Sequence, residues 1–185
     1  MTGYMRSSIL ALATAGVVLF ACGPKRAAVP TYDLSLIDAM TVHHQAAIAM
    51  ARLADSRALH SELKAFALTV VENQSREIDS MKAWRDRWFP GRQQYPGIVN
   101  MPGMAGSMKG MDSSMLETLK GNEFDLMFIA MMVPHHQGAI VMSEDALTKA
   151  QHPEVRALAQ QIINAQSSEI RMMNEWKSVW AGSPE

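Results

Sequence analysis

The sequence predicts an all-α protein, a four-helix bundle built from two copies of one helical hairpin and preceded by a lipoprotein signal peptide. Three observations carry this reading. Shifting the 185-residue chain by 92 positions aligns residues 32–88 with residues 124–180 without a gap, with 23 identities in the 57 pairs. Within each copy, apolar, Met and His positions recur at steps of three and four, the period of a helix. Each copy is interrupted once, near His60 and His152, and Pro153 follows the second interruption, where proline suits the first position of a helix. Two long helices with a link of three or four residues make an antiparallel hairpin, and two hairpins make a bundle.

Composition narrows the function. Lys and Arg number 17 against 18 Asp and Glu, so a formal charge of −1 leaves no electrostatic footprint for nucleic acid. One cysteine excludes a disulfide framework and any multi-cysteine zinc or iron–sulfur site. A chain that is 48% hydrophobic is not disordered. Methionine is the anomaly: beyond residue 21 it outnumbers leucine, 14 to 11.

The elements follow in order. Arg6 precedes an apolar run over residues 9–21, too short to span a bilayer comfortably and shaped like a secretory signal. The run closes on Leu19-Phe20-Ala21-Cys22, which resembles the bacterial lipobox. That resemblance implies removal of residues 1–21 and acylation of Cys22. A plain cleaved signal with an incidental cysteine is the alternative. Residues 22–31 then form a lipidated tether on the periplasmic face of the envelope. Gly23-Pro24 carries no Asp retention signal and favours the outer membrane where one exists. The bundle domain covers residues 32–185. Its first helix runs from Tyr32 to about Arg57, with Asp33 early, where the helix dipole favours an anion. The second starts after His60 and stops at Pro90-Gly91. The crossover over residues 90–122 holds a short helix from Ser113 to Lys120 ending at Gly121, and the second copy repeats the hairpin.

All six histidines fall within the duplicated segments. On helical spacing Met40, His43, Ala47 and Met50 share a face, as do Met132, His135, Ala139 and Met142. Met40 reaches His44 and Met132 reaches His136 at i+4, with Met131 adjoining. Adjacent histidines diverge by about 100° on a helix, so one of each pair faces the core while the other flanks a second site or the bundle edge. A hairpin turning near residue 59 sets His44 level with Gln74 and Met40 level with Ile78. Gln74, Glu77, Met81, Trp84 and Trp88 form an inward stripe, duplicated as Gln166, Glu169, Met173, Trp176 and Trp180. Such stripes are ordinarily packing, and the four tryptophans are read as core. Met50 and Met142 read first as gap-fillers, with a ligand role as the second reading. His60 and His152 read as cap or loop residues. Two His-His pairs repeated beside Met exceed what a core needs, and imidazole with thioether suits copper. Gln74, Glu77, Gln166 and Glu169 are then the groups that hold the rings in one tautomer.

In the crossover, Met101, Met104, Met108, Met111 and Met115 are spaced 3-4-3-4 among Gly, Ser and Pro. Gly103, Gly106, Gly110 and Pro102 oppose a stable helix there, so this segment reads as a flexible thioether-rich chelator of soft metal, or else as a groove cover or oxidant sink. Pro134 removes the hydrogen bond to the Ala130 carbonyl, which is expected to sit beside the histidines and make the two halves unequal.

Taken together, Glu123-Phe124-Asp125, the run from Met131 to Ile140 with His135-His136-Gln137-Gly138-Ala139, His152-Pro153-Glu154-Val155-Arg156, Ala165-Gln166, Glu169-Ile170, Trp176 and Trp180 resemble the family of domain of unknown function 305, which includes CopM-like periplasmic copper-binding proteins. The first copy matches through Met40, His43-His44-Gln45 and Gln74, with Ala46 in place of the glycine and no proline. The resemblance implies a ferritin-like bundle and copper, as Cu(I), Cu(II) or both, held by Met and His. The expected function is copper sequestration, buffering or transfer to a protein partner, without enzymatic activity. The alternatives are a metal-free structural or pH-responsive envelope lipoprotein and a cuprous oxidase; zinc or nickel on the same imidazoles is disfavoured by the thioethers. Di-iron chemistry needs Glu-x-x-His, and Met40 and Met132 stand where those carboxylates belong.

Overall fold

The computed structural model describes residues 32–182, together with Met1. The signal peptide, Cys22 and the tether lie outside the described residues. What is described is helical: α1 (Tyr32–Ala51), α2 (Ala54–Arg57), α3 (Ser61–Trp88), α4 (Met104–Met108), α5 (Ser114–Glu117), α6 (Gly121–Lys149) and α7 (Pro153–Trp180). A 3₁₀ turn covers Ile98–Asn100. α1 packs along α3 and α6 along α7, and α1 and α6 meet across the middle. These two inner helices are the apolar ones. α6 is long and apolar enough to cross a membrane, but it is a core helix, with Asp125, His135 and His136 wholly buried.

Both hairpins are antiparallel, as His44 against Glu77 and His136 against Glu169 show. In both, the histidine bonds the carboxylate 33 residues on, three beyond the Gln74 or Gln166 expected to lie level with it, because side chains on a helix lean toward its N-terminus and His44 therefore reaches away from the turn. The first copy does not stay helical to Arg57: α1 ends at Ala51, turns through Arg52-Leu53 and adds the single turn α2 before α3 begins. In the second copy the link is short and Pro153 opens α7 after His152, as the proline predicts.

The two hairpins are locked by a reciprocal contact that repeats with the duplication. Asp33, at the start of α1, is fully buried and accepts the backbone N–H groups of Gln151 and His152 at 2.9 Å each, with the His152 Nδ1–H at 2.5 Å. Asp125, at the start of α6, does the same for Leu59, His60 and the His60 ring, at 3.1, 2.9 and 2.7 Å. Each aspartate therefore satisfies the unpaired N–H groups that open a helix, but a helix of the other hairpin. The imidazoles are sandwiched as well: His152 stacks on Trp88 at 3.8 Å and His60 on Trp180 at 3.9 Å, both nearly parallel. Trp88 and Trp180 are thus clamp residues. Trp84 and Trp176 are half-buried rather than core, stacked on Trp88 and Trp180.

The crossover is ordered into two single-turn helices. α5 is half the length expected from Ser113 to Lys120, and Gly121 opens α6 instead of closing the short helix. Met104–Met108 is helical despite its glycines because the turn is supported by packing on α6 rather than by propensity.

Replacing Asp33 or Asp125 with Ala strands three donors on a partner helix. Either substitution is expected to cost about 2–3 kcal/mol, read as a lower midpoint in denaturant unfolding with an unchanged slope.

Candidate metal centre

Where α1 crosses α6, four imidazoles are packed together, and none has any exposed surface: His43, His44, His135 and His136. His43 and His135, the two copies of one position, stack ring on ring at 3.6 Å. Their neighbours stand 6.3 Å and 6.1 Å away. Of the two places expected for the second histidine of each pair, a second site or the bundle edge, burial rules out the edge. The helical divergence instead sends His43 and His135 toward each other and His44 and His136 toward α3 and α7.

Every Nε2 is committed. His135 Nε2 lies 3.0 Å from the His43 carbonyl, which accepts only, so this nitrogen carries the proton. His43 Nε2 lies 3.0 Å from Ser107 Oγ, whose own hydrogen goes to the Gly103 carbonyl at 2.7 Å; His43 is again the donor. His44 Nε2 donates to Glu77 at 2.6 Å and His136 Nε2 to Glu169 at 2.7 Å. In the neutral rings this leaves four Nδ1 lone pairs, all buried and without a protein partner. The side-chain oxygens of Gln74 and Gln166 are orphaned in the same way. Buried polar atoms are usually paired, and a metal-bound histidine ordinarily donates its far N–H to a carboxylate or carbonyl. The centre shows that second half of the pattern three times, and His43 donates to the Ser107 hydroxyl instead. Burial, and then the neighbouring imidazoles, hold the His43 and His135 rings well below the ordinary histidine pKa, so both stay neutral and keep Nδ1 bare at neutral pH.

Met40 and Met132 stand one turn before the histidines on α1 and α6, and the other buried thioethers fall into two apolar clusters. Met40 and Met142 lie in one apolar cluster, with Met101 and Met104 buried from the crossover and Met108 at its edge. Met50, Met131 and Met132 lie in a second cluster, with Met111 at its edge. Met101 and Met104 are packed side chains rather than parts of a free chelating loop; Met115 is exposed. Met40 also borders an apolar interstice with Met81 and Trp84. Among the described residues, no three His, Cys, Asp or Glu side chains converge as a preformed ion site. The donors that fit copper are the four Nδ1 atoms and the neutral thioethers beside them, a soft set.

The halves differ, but not through Pro134. Pro134 and Ala130 are both exposed, on the outer side of α6, whereas His135 and His136 are buried. The asymmetry comes from the crossover. A Cβ on Gly138 would fall 2.2 Å from the Ser107 Cβ and 2.7 Å from the Gly103 carbonyl, and Gly103 itself needs a left-handed backbone at φ +83°. Gly138 is thus the seat on which α4 rests, and Ser107 reaches past it to His43. Nothing in the sequence pattern singles out Ser107. The one usable signal is the glycine in the second copy where the first has Ala46.

The structure is that of an all-helical, duplicated protein whose interior holds a donor set suited to a soft metal ion. The model for the domain of unknown function DUF305 matches residues 33–177, and the chain belongs to that family. It is similar to CopM in the Cu(I)-bound form, at 39% identity over 81% of this chain and 98% of that one with a TM-score of 0.69. The Cu(II)-bound form matches at 38% identity over 80% and 97%, TM-score 0.67, and an Ag-bound form at 39% over 81% and 98%, TM-score 0.69. A DUF305 protein from Streptomyces coelicolor shares the fold at 24% identity over 84% and 97%, TM-score 0.74. No curated protein sequence matches.

Two outcomes follow from the geometry. Gly138→Ala should lift the crossover off α6, costing about 1–3 kcal/mol despite the better helix propensity of Ala and exposing residues 101–111 to limited proteolysis; Ala46→Gly should leave the proteolysis pattern unchanged. The metal-free protein should lose stability as pH falls. An unfolded histidine protonates near 6.5, whereas His43 and His135 resist protonation in the fold. Their contribution is complete above about 6.5 and declines below it, which a series of thermal melts from pH 8 to pH 5 would show.

Proposed function

We propose that this chain is a lipid-anchored, ferritin-like four-helix bundle of the cell envelope that takes up copper through Met and His and holds it or passes it on. The observation that carries the reading is the set of four buried imidazoles whose Nε2 atoms are all occupied and whose Nδ1 atoms are all bare. The ligands are His43, His44, His135 and His136 with Met40, Met132 and Met131; Met50, Met142, Met101, Met104, Met108 and Met111 are further thioethers within or at the edge of the same two clusters. Glu77 and Glu169 fix the tautomers, and Gln74 and Gln166 stand one turn away on the same helices. Copper-bound and silver-bound structures of a relative at about two-fifths identity support the choice of ion.

Charge supports a univalent ion in the interior. Imidazole and thioether are neutral, and an unbalanced charge in a low-dielectric core becomes costlier as it grows. Cu(I) leaves one positive charge there and Cu(II) leaves two. Export and acylation at Cys22 rest on the lipobox-like residues, and transfer to a protein partner rests on the chemistry of a carrier.

Replacing His43, His44, His135 and His136 together with Ala should abolish tight binding of Cu(I) and Cu(II), measured by competition with chelators and by elemental analysis after dialysis. Unchanged stoichiometry and affinity would contradict the reading and leave a structural envelope protein in its place.

A further inference from the structure

His44 and His136 have no exposed surface, yet each touches solvent through one intermediary. The Glu77 side chain is 20% exposed and the Glu169 side chain 16%, while each carboxylate bonds a buried imidazole, at 2.6 and 2.7 Å. One turn earlier on the same face of α3 and α7, Gln74 and Gln166 are buried with an unpartnered oxygen. Each hairpin therefore presents a graded series of donors, from a wetted carboxylate to an imidazole and an amide inside. An aquated cation exchanges some of its water for a carboxylate readily, and a cation bound there lies against the imidazole already. The imidazole meets that cation with its Nε2–H, so the hydrogen bond must open and the proton must move, by way of the carboxylate and water, to the bare Nδ1, which frees the Nε2 lone pair to take the ion.

The surroundings of the two carboxylates differ. Glu77 opens into a groove between α3 and α7 lined by Asn73, Arg76, Ser80, Leu158 and Gln161. The Arg76 guanidinium is bonded to Asn73 beside it. By the 92-residue shift, Ala165 on the Glu169 helix corresponds to Asn73, Ser168 to Arg76 and Met172 to Ser80. Thus a fixed positive charge accompanies the first carboxylate, while serine and a half-buried thioether accompany the second.

We propose that Glu77 and Glu169 are transfer ligands, through which metal cations pass between solvent and the buried imidazoles, and that the Glu169 door is the faster because Arg76 opposes cations at Glu77. This rests on the metal-binding reading above. A surface charge acts on approach rates and is screened by salt, so the two doors are separable kinetically.

The test is stopped-flow tryptophan fluorescence of the purified protein mixed with aqueous Cu(II), and separately with Ag(I), alongside equilibrium dialysis with elemental analysis. Glu→Gln keeps an acceptor for the imidazole N–H, so E77Q and E169Q are expected to fold, with thermal melts as the check. E169Q should slow loading about tenfold, E77Q about two- to threefold, and the double variant more than either, with stoichiometry unchanged. E169D, which keeps the carboxylate, should recover most of the rate. R76S should speed loading several-fold at low ionic strength, and the gain should vanish in high salt. Wild-type rates in the double variant, or an R76S protein indistinguishable from wild type at low salt, would overturn the proposal. A lowered stoichiometry in E77Q or E169Q would also overturn it, by making the carboxylates permanent ligands. A wild-type protein that retains no ion on dialysis fails the metal reading itself, a result the rate measurements cannot mimic.

Discussion

The reciprocal capping of helices by Asp33 and Asp125 is the constraint on which the rest depends. Each buried carboxylate takes three N–H groups from the opening of a helix in the other hairpin. A hairpin on its own would lack these partners for its aspartate, so the caps form only when the two hairpins meet. The two copies thus complete one another at both ends, and α1 is set across α6 in one register. That register brings His43 onto His135, the same position of the repeat meeting itself. The centre between the hairpins exists because the ends are tied.

Much of this was legible in the chain, and the remainder was hidden for a definable reason. The duplication, the helix openings at His60 and His152, and the grouping of the histidines follow from identity at a fixed shift and from one proline. The partner of Asp33 does not. In a duplicated sequence, contacts within a copy and between copies have the same spacing pattern, so an aspartate capping its own helix and one capping the equivalent helix opposite look alike. The partners of His44 and His136 lay three residues beyond the expected positions in both copies, because counting from a turn sets backbones level whereas side chains lean along the helix. Ser107 was invisible because it acts through a close backbone approach at Gly138, and periodicity reports faces rather than distances.

The departure from two-fold symmetry is one-sided. The crossover can lie on only one of two equivalent faces, and it lies on α6, where Gly138 leaves room for Ser107 and for the Gly103 carbonyl. At the equivalent place on α1 the repeat has Ala46, which is half-buried. The same segment brings Met101 and Met104 into the apolar cluster that holds Met40 and Met142. One connection thus bonds one of the two stacked histidines and adds two buried thioethers to one apolar cluster, so the two copies acquire different surroundings.

The central imidazoles run against the usual rule that buried polar groups are paired. An unsatisfied buried donor or acceptor costs about 1–3 kcal/mol, and four Nδ1 atoms together are a large share of the stability of an ordinary domain. Satisfying them within the protein would have needed only four hydroxyl or amide donors, and cores commonly supply them. Instead each ring is held by its other nitrogen, which fixes its tautomer and orientation while leaving the lone pair open. Such violations persist where function requires them and where the surrounding structure offsets the loss. The offset is visible at the two ends, where Asp–His–Trp stacks repeat with nearly parallel rings. Stability is concentrated at the clamps, and the middle is left short of hydrogen-bond partners. A purely structural bundle would have no reason to distribute its polar groups this way, whereas a protein whose interior must accept an ion and give it up again gains from donors already oriented.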